Sequence, residues 1–259
     1  MNMSWKLGRI AGIDVFLHST FFLILFLPAA ATHLPLLLAM FGCVLLHEFG
    51  HALTARRFGI GTADITIYPI GGVARLTRMP RAPGAELLIA LAGPAVNIAI
   101  AAGLYLSLGV MSSLGMGRFF ADLLVMNLVL AGFNLIPAFP MDGGRVLRAL
   151  LGGWLGRGRA TVFAASVGRA LAVGFGVYSL LNLAFFQVAL AVFIYMAARA
   201  EEIGVLADER RRAGETEEGL DWSTPPGYRW IQTGRGVWRL APITVSSQSR
   251  ATWRDPRWR

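Results

Sequence analysis

The feature that most restricts this chain is a series of apolar runs, each near the roughly 20 residues a helix needs to cross a bilayer. Six are distinguished, at 15–31, 36–55, 87–110, 120–138, 161–180 and 183–198, the last two cut from one long run that must turn near Asn182. In lipid every backbone polar group must be satisfied within the segment, so such runs imply helices rather than an open sheet. The predicted fold is an all-α polytopic membrane protein with about six transmembrane helices and, between the second and third, a short membrane-associated β-hairpin. Composition agrees: of 259 residues 55% are hydrophobic and 15% charged, at a mean hydropathy of +0.57, outside the range of an ordinary soluble domain.

A net charge of +9 would suit nucleic acid, but the arginines flank the apolar runs, and no nucleic-acid motif accompanies them. They alternate. Lys6, Arg9, Arg56, Arg57, Arg75, Arg78, Arg81, Arg145, Arg148, Arg157 and Arg159 fall in one set of loops, whereas the other set holds only Arg118. Basic residues collect in cytoplasmic loops, so both termini are expected in the cytoplasm and the number of spans should be even. The first 31 residues imitate a signal peptide, with Lys6 and Arg9 ahead of an apolar core and Ala29-Ala30-Ala31 at its end. Because the charge pattern needs this run, it is read as a retained helix.

Inside the second run lies His47-Glu48-Phe49-Gly50-His51. Residues four apart share a helix face, so two imidazoles can meet one metal ion with a carboxylate beside them. In hydrolases Zn²⁺ takes three protein ligands and keeps a fourth position for water, whose proton a neighbouring Glu can accept and pass to a leaving nitrogen. Ionisable groups are costly in a span, which argues that this cluster has a purpose. The single cysteine, Cys43, precedes His47 by one turn; it either faces the metal or is a small buried apolar residue.

Three further stretches bear on the same chemistry. Residues 64–70 alternate apolar and polar and run through Gly71-Gly72 into 73–78, a hairpin pattern whose edge would pair with an extended peptide, or a plain structured loop. Ile65, Ile67, Gly71 and Gly72 are its candidate substrate-binding residues. In the third run, Asn97 follows Gly93-Pro94; its amide either bonds across helices or donates to a substrate carbonyl. The fourth run ends in Asn134-Leu135-Ile136-Pro137-Ala138-Phe139-Pro140-Met141-Asp142-Gly143-Gly144. Its two prolines interrupt the helix, and irregular backbone at membrane depth belongs where protein or a watery cavity receives it. Asn134 and Pro137 are candidates to receive substrate, and Asp142 is either a third metal ligand or a helix cap. His18, Asp122 and Arg169 receive no catalytic role.

Together these motifs resemble the site-2 protease family of intramembrane zinc metalloproteases, over roughly residues 8–202. The resemblance implies that His47, His51 and Asp142 hold Zn²⁺, that Glu48 is the general base, and that Asn97 holds or polarises the scissile carbonyl. It further implies a protein substrate, single-pass or membrane-anchored, cut in or near its transmembrane segment within the bilayer of a bacterial or archaeal cell. Some members carry a PDZ domain and many append paired CBS domains; neither fits in this chain. Two rivals differ in chemistry: a zinc transporter would have no use for Glu48 as a base, and a catalytically silent homologue acting as a membrane chaperone would lack metal. A full set of ligands and base favours the peptidase. The division expected is a core at 1–202 and a partly disordered cytoplasmic tail at 203–259, bearing Arg210-Arg211-Arg212 and five tryptophans from Trp222 to Trp258.

Overall fold

The computed structural model describes residues 4–26, 30–69, 71–78, 82–221, 228–234 and 237–242. The chain divides into two compact units, Met1–Val205 and Leu206–Arg259.

The first unit opens with an antiparallel ribbon, β1 (Ser4–Ile10) and β2 (Ile13–His18), followed by a 3₁₀ segment, Ser19–Phe26. This corrects the span expected at 15–31. Ile13 and Val15 are buried while Asp14 between them is half-buried, a period of two, and Val15 pairs with Ile65. Strand pairing therefore satisfies a backbone that the apolar count alone assigned to a helix. The turn lies at Ala11 and Gly12, both with positive φ (51° and 85°), a conformation that costs glycine little.

Helix α1 (Ala30–Arg57) departs from helical geometry at His33, two residues before Pro35, whose ring crowds the preceding turn. It leads to β3 (Thr62–Tyr68) and β4 (Gly71–Leu76), the expected hairpin. Tyr68 pairs with Gly71 and Ile67 with Gly72, so both glycines belong to β4. The four strands form one sheet in the order β1-β2-β3-β4, with β2 and β3 parallel and α1 as their crossover. One face of this sheet buries Val15, Ile65 and Ile67 against Phe41, Phe49 and Ala52 of α1. Arg56 donates to the Ala11 carbonyl (3.3 Å), bringing the basic end of α1 to the β1–β2 turn.

Helices α2 (Pro83–Ser113), α3 (Gly117–Asn134), α4 (Asp142–Leu155), α5 (Arg157–Leu181) and α6 (Phe185–Asp221) follow. Among the described residues four segments are long and apolar enough to span: Thr32–Arg57, Pro83–Ser113, Gly117–Asn134 and Arg157–Leu181. Their outer faces carry large apolar side chains such as Leu106 and Leu181, which suit lipid and not water. This is a polytopic integral membrane protein. The sixth apolar run opens α6, which continues through Glu201 and Glu202 into charged sequence as far as Asp221.

Between α3 and α4 the chain is irregular, and glycines let it lie against helices rather than lipid. A Cβ on Gly143 or Gly144 of α4 would strike backbone of residues 135–139, and one on Gly168 of α5 would strike the Phe139 carbonyl. Phe139 is buried with Ala164, Ala165 and Ala198. Protein thus encloses this backbone.

In the second unit, β5 (Tyr228–Gly234) and β6 (Val237–Pro242) pair as an antiparallel ribbon. Trp222, Trp253 and Trp258 lie outside the described residues.

Candidate metal centre

His47 and His51 lie one turn apart on α1 and are buried. Their Nε2 atoms are 3.1 Å apart, and each is 3.1 Å from Oδ2 of Asp142, the first residue of α4. The two histidines that the spacing singled out and Asp142, to which the resemblance gave the third ligand role, thus meet at one point. Ligand atoms about 2.0–2.1 Å from a tetrahedral ion are themselves roughly 3.3 Å apart, so this donor spacing fits Zn²⁺.

The rest of the hydrogen-bond network states which atoms offer lone pairs. Nδ1 of His51 faces the Ile89 carbonyl at 2.7 Å, and Nδ1 of His47 faces Oδ1 of Asn97 at 2.6 Å. Both partners are acceptors, so both Nδ1 atoms carry a hydrogen, and the Nε2 atoms that face Asp142 are the ones left to ligate a cation. The Asn97 amide is oriented by its other end, where Nδ2 donates to Oδ1 of Asn127 (3.0 Å). Asn127 in turn donates to the Leu123 carbonyl (2.9 Å) and meets Sγ of Cys43 (3.4 Å), so Cys43 points at Asn127. Three electron-rich atoms held this close repel one another unless a cation or protons lie among them. Neutral imidazoles oriented by acceptors behind them are the arrangement that metal sites use.

Small residues make the room. A Cβ on Gly93 of α2 would overlap Nε2 of both His47 and His51. On β4, a Cβ on Gly72 would come within 2.6 Å of Cγ of Glu48, whose Oε2 accepts from the Ala74 N–H at 3.1 Å. Glu48 is therefore held beside the histidines by the outer edge of the sheet. Burial alone would raise the Asp142 carboxyl, yet its hydrogen bonds to His47 and His51 hold it well below the ordinary carboxylate range. Its place in the first turn of α4 also suits an anion.

A cavity of about 610 Å³ opens on this cluster, lined by His47, Glu48, His51, Asp142 and Arg145 and by the apolar Val44, Val129 and Phe133 among others. Of the candidate substrate-binding residues, Gly71, Gly72 and Asn134 line it. Ile65 and Ile67 do not: they are buried under α1, and β3 is an interior strand with both edges paired, so neither is open to a peptide. Pro137 is absent from the lining as well, because the broken segment turns Pro140 toward the cavity instead. Asn97 is fully buried and absent from the cavity lining, its amide turned to His47 and Asn127, so it does not face a substrate carbonyl.

Sequence reasoning overlooked the polar groups behind the site. Asn127 carried a signal, an amide in the middle of an apolar run. Arg148 was counted as a loop charge, yet it is buried between Glu86 on α2 (2.5 Å) and Glu201 on α6 (3.0 Å), with Arg157 3.6 Å from Glu86. A second pair, Arg169 with Glu202, joins α5 to α6.

Residues 35–114 and 109–175 match the profile of Peptidase family M50. A zinc metalloprotease of Methanocaldococcus jannaschii is 36% identical over 218 residues, covering 78% of this chain and 61% of that protein. Rip3 of Mycobacterium tuberculosis is 37% identical over 238 residues, 78% of this chain and 59% of that protein. Stage IV sporulation protein FB of Bacillus subtilis is 28% identical over 138 residues, 52% of this chain and 46% of that protein. Among solved structures, the site-2 protease from Methanocaldococcus jannaschii superposes with a TM-score of 0.59 at 34% identity, covering 77% of this chain and 95% of that one. This chain spans about three fifths of the length of the first two of these relatives.

Proposed function

Since the chain belongs to peptidase family M50, the site-2 protease family, we propose that it is an intramembrane zinc endopeptidase. Its substrate is a single-pass or membrane-anchored protein, cut in or near its transmembrane segment. The observation that carries this reading is the convergence of two histidine Nε2 atoms and one carboxylate oxygen, each 3.1 Å from the others, beside Glu48 in a cavity.

His47, His51 and Asp142 would hold Zn²⁺, which when bound polarises a carbonyl and makes water a stronger acid. Glu48, next to His47 in the His-Glu-x-x-His pattern, takes a proton from the attacking water and delivers it to the leaving nitrogen. Asn97 acts on His47: by accepting from Nδ1–H it keeps the imidazole in the ligating tautomer. The substrate segment must be extended before it is cut, since a helical peptide bond is shielded by its own hydrogen bonds. The receiving edge is β4, with Gly71, Gly72 and Ala74 on the cavity wall, in place of the interior β3. Both termini lie on the cytoplasmic side, as the basic loops and the Arg56–Ala11 contact suggest.

The test is to reconstitute the purified chain with a model single-pass substrate. Cleavage is expected to stop on chelation, return with zinc, and be lost in Glu48→Gln while zinc stays bound. Unimpaired cutting by Glu48→Gln contradicts the reading.

A further inference from the structure

Arg145 was read from the sequence only as a loop charge, and the structure places it elsewhere. Three residues after Asp142, it lies on the same face of α4, one turn further in. Together with His47, Glu48, His51 and Asp142 it lines the cavity, where it is the one Lys or Arg side chain among the described lining residues.

Four carboxylates act on it electrostatically: Glu201, Asp142, Glu48 and Glu86. Each has its hydrogen bond elsewhere. Glu86 and Glu201 are taken by Arg148, Asp142 by the two histidines, and Glu48 by the Ala74 N–H. A guanidinium carries five N–H donors, and among the described residues Arg145 has neither a hydrogen bond nor an ion pair. The carboxylates favour the charged guanidinium without occupying its donors. Meanwhile Asn97, the other group considered for the substrate carbonyl, is engaged at both ends.

We propose that Arg145 is a catalytic residue that hydrogen-bonds the carbonyl oxygen of the bond being cut and stabilises the negative charge that develops there. This rests on the peptidase reading above. As the water oxygen bonds to the carbonyl carbon, the π pair of C=O moves onto the carbonyl oxygen, to which the guanidinium donates hydrogen bonds. When that pair re-forms C=O, the C–N bond breaks and its electrons stay on nitrogen, which gains the proton that Glu48 took from the water. The products are a carboxylic acid and an amine. A fixed cation in a site poor in water is worth most where charge appears only in the transition state.

The test compares wild type, Arg145→Gln and Arg145→Lys, as full chains in detergent with a model membrane substrate. Four quantities are read: kcat, KM, zinc content, and affinity for a phosphinic peptide that imitates the tetrahedral state. Arg145→Gln is expected to lower kcat by about 10²–10³-fold, the usual loss for one oxyanion donor. KM should change less than about threefold, zinc should stay bound, and phosphinate affinity should fall in parallel with kcat. Arg145→Lys, which keeps a cation, should regain about tenfold of the loss. The proposal is overturned if Arg145→Gln turns over within about threefold of wild type, or if only KM rises. Loss of zinc or of folded protein in Arg145→Gln also overturns it, because the guanidinium would then be holding the carboxylate cluster together. A zinc-loaded wild type that cuts nothing removes the peptidase reading itself, an outcome the wild-type measurement separates from the others.

Discussion

Replacing Asn97 by Ala separates two roles that the sequence left open for this amide. Its Oδ1 is 2.6 Å from Nδ1 of His47 and its Nδ2 is 3.0 Å from Oδ1 of Asn127, with no exposed surface. Truncation removes the acceptor that keeps the proton on Nδ1, so His47 can place its hydrogen on Nε2 and cease to be a ligand. Loss of such an outer partner weakens metal binding by about 10–100-fold, or about 1.4–2.7 kcal/mol. It also strands the Asn127 oxygen in a buried site, at a cost to stability of about 1–3 kcal/mol. Asn97→Asp keeps an acceptor for His47, so it should bind zinc more tightly than the Ala variant while still disturbing Asn127. Competition with a chromophoric zinc chelator measures the affinities, and thermal unfolding in detergent measures the second effect. If Asn97→Ala binds zinc like wild type while kcat collapses, the amide acts on substrate and the tautomer argument is wrong.

Other substitutions probe the packing that makes the site. Gly93→Ala puts a methyl group onto both Nε2 atoms and is expected to weaken zinc binding by about tenfold or more without unfolding the helices, as judged by circular dichroism and metal analysis; full zinc occupancy counts against the tight α1–α2 geometry. Arg148→Met leaves Glu86 and Glu201 without their buried partner and should cost about 3–5 kcal/mol, whereas Arg148→Met with Glu86→Met should recover part of that loss. Equal melting temperatures for the single and double variants would show that the pair is not coupled. Ala74→Pro removes the edge N–H that holds Glu48, and proline is tolerated on an edge strand, so cleavage should fall while zinc content stays. Undiminished cleavage would leave β4 as scaffold only.

What the sequence revealed, and what it hid, follows from how far each signal reaches along the chain. His47 and His51 were legible because four residues on a helix is a local spacing, and an apolar run guaranteed the helix. The context of Asp142, two prolines and two glycines, announced irregular backbone but left the residue open between ligand and helix cap until the family resemblance supplied the role; that it meets the histidines 95 and 91 positions away is a tertiary fact. The first apolar run misled because hydropathy does not distinguish a lipid-facing helix from a strand buried on α1. The clue was the alternation at Ile13, Asp14 and Val15, overshadowed by the following Phe21-Phe22-Leu23 stretch. Ile65 and Ile67 misled for a related reason: a hairpin seen alone has two free edges, and only the parallel partner β2, about 50 residues earlier in the chain, shows that β3 is interior.

Arg145 and Arg148 show the same limit in charge. Counted as loop residues they oriented the chain, yet α4 carries both into the protein, where one joins three helices through two carboxylates and the other faces the cavity. A short helix after a broken span explains this. Asp142 starts it, so the residue three positions later lies near the same face and the one six later about 120° round the helix, and whatever places the carboxylate beside the histidines also fixes where both guanidiniums go. The ligand and the two cations are therefore one rigid element. Moving α4 by its first turn would disturb metal binding, the cavity wall and the α2–α6 ion pairs together, and a variant that shifts one of the three without the others would show that α4 does not act as a unit.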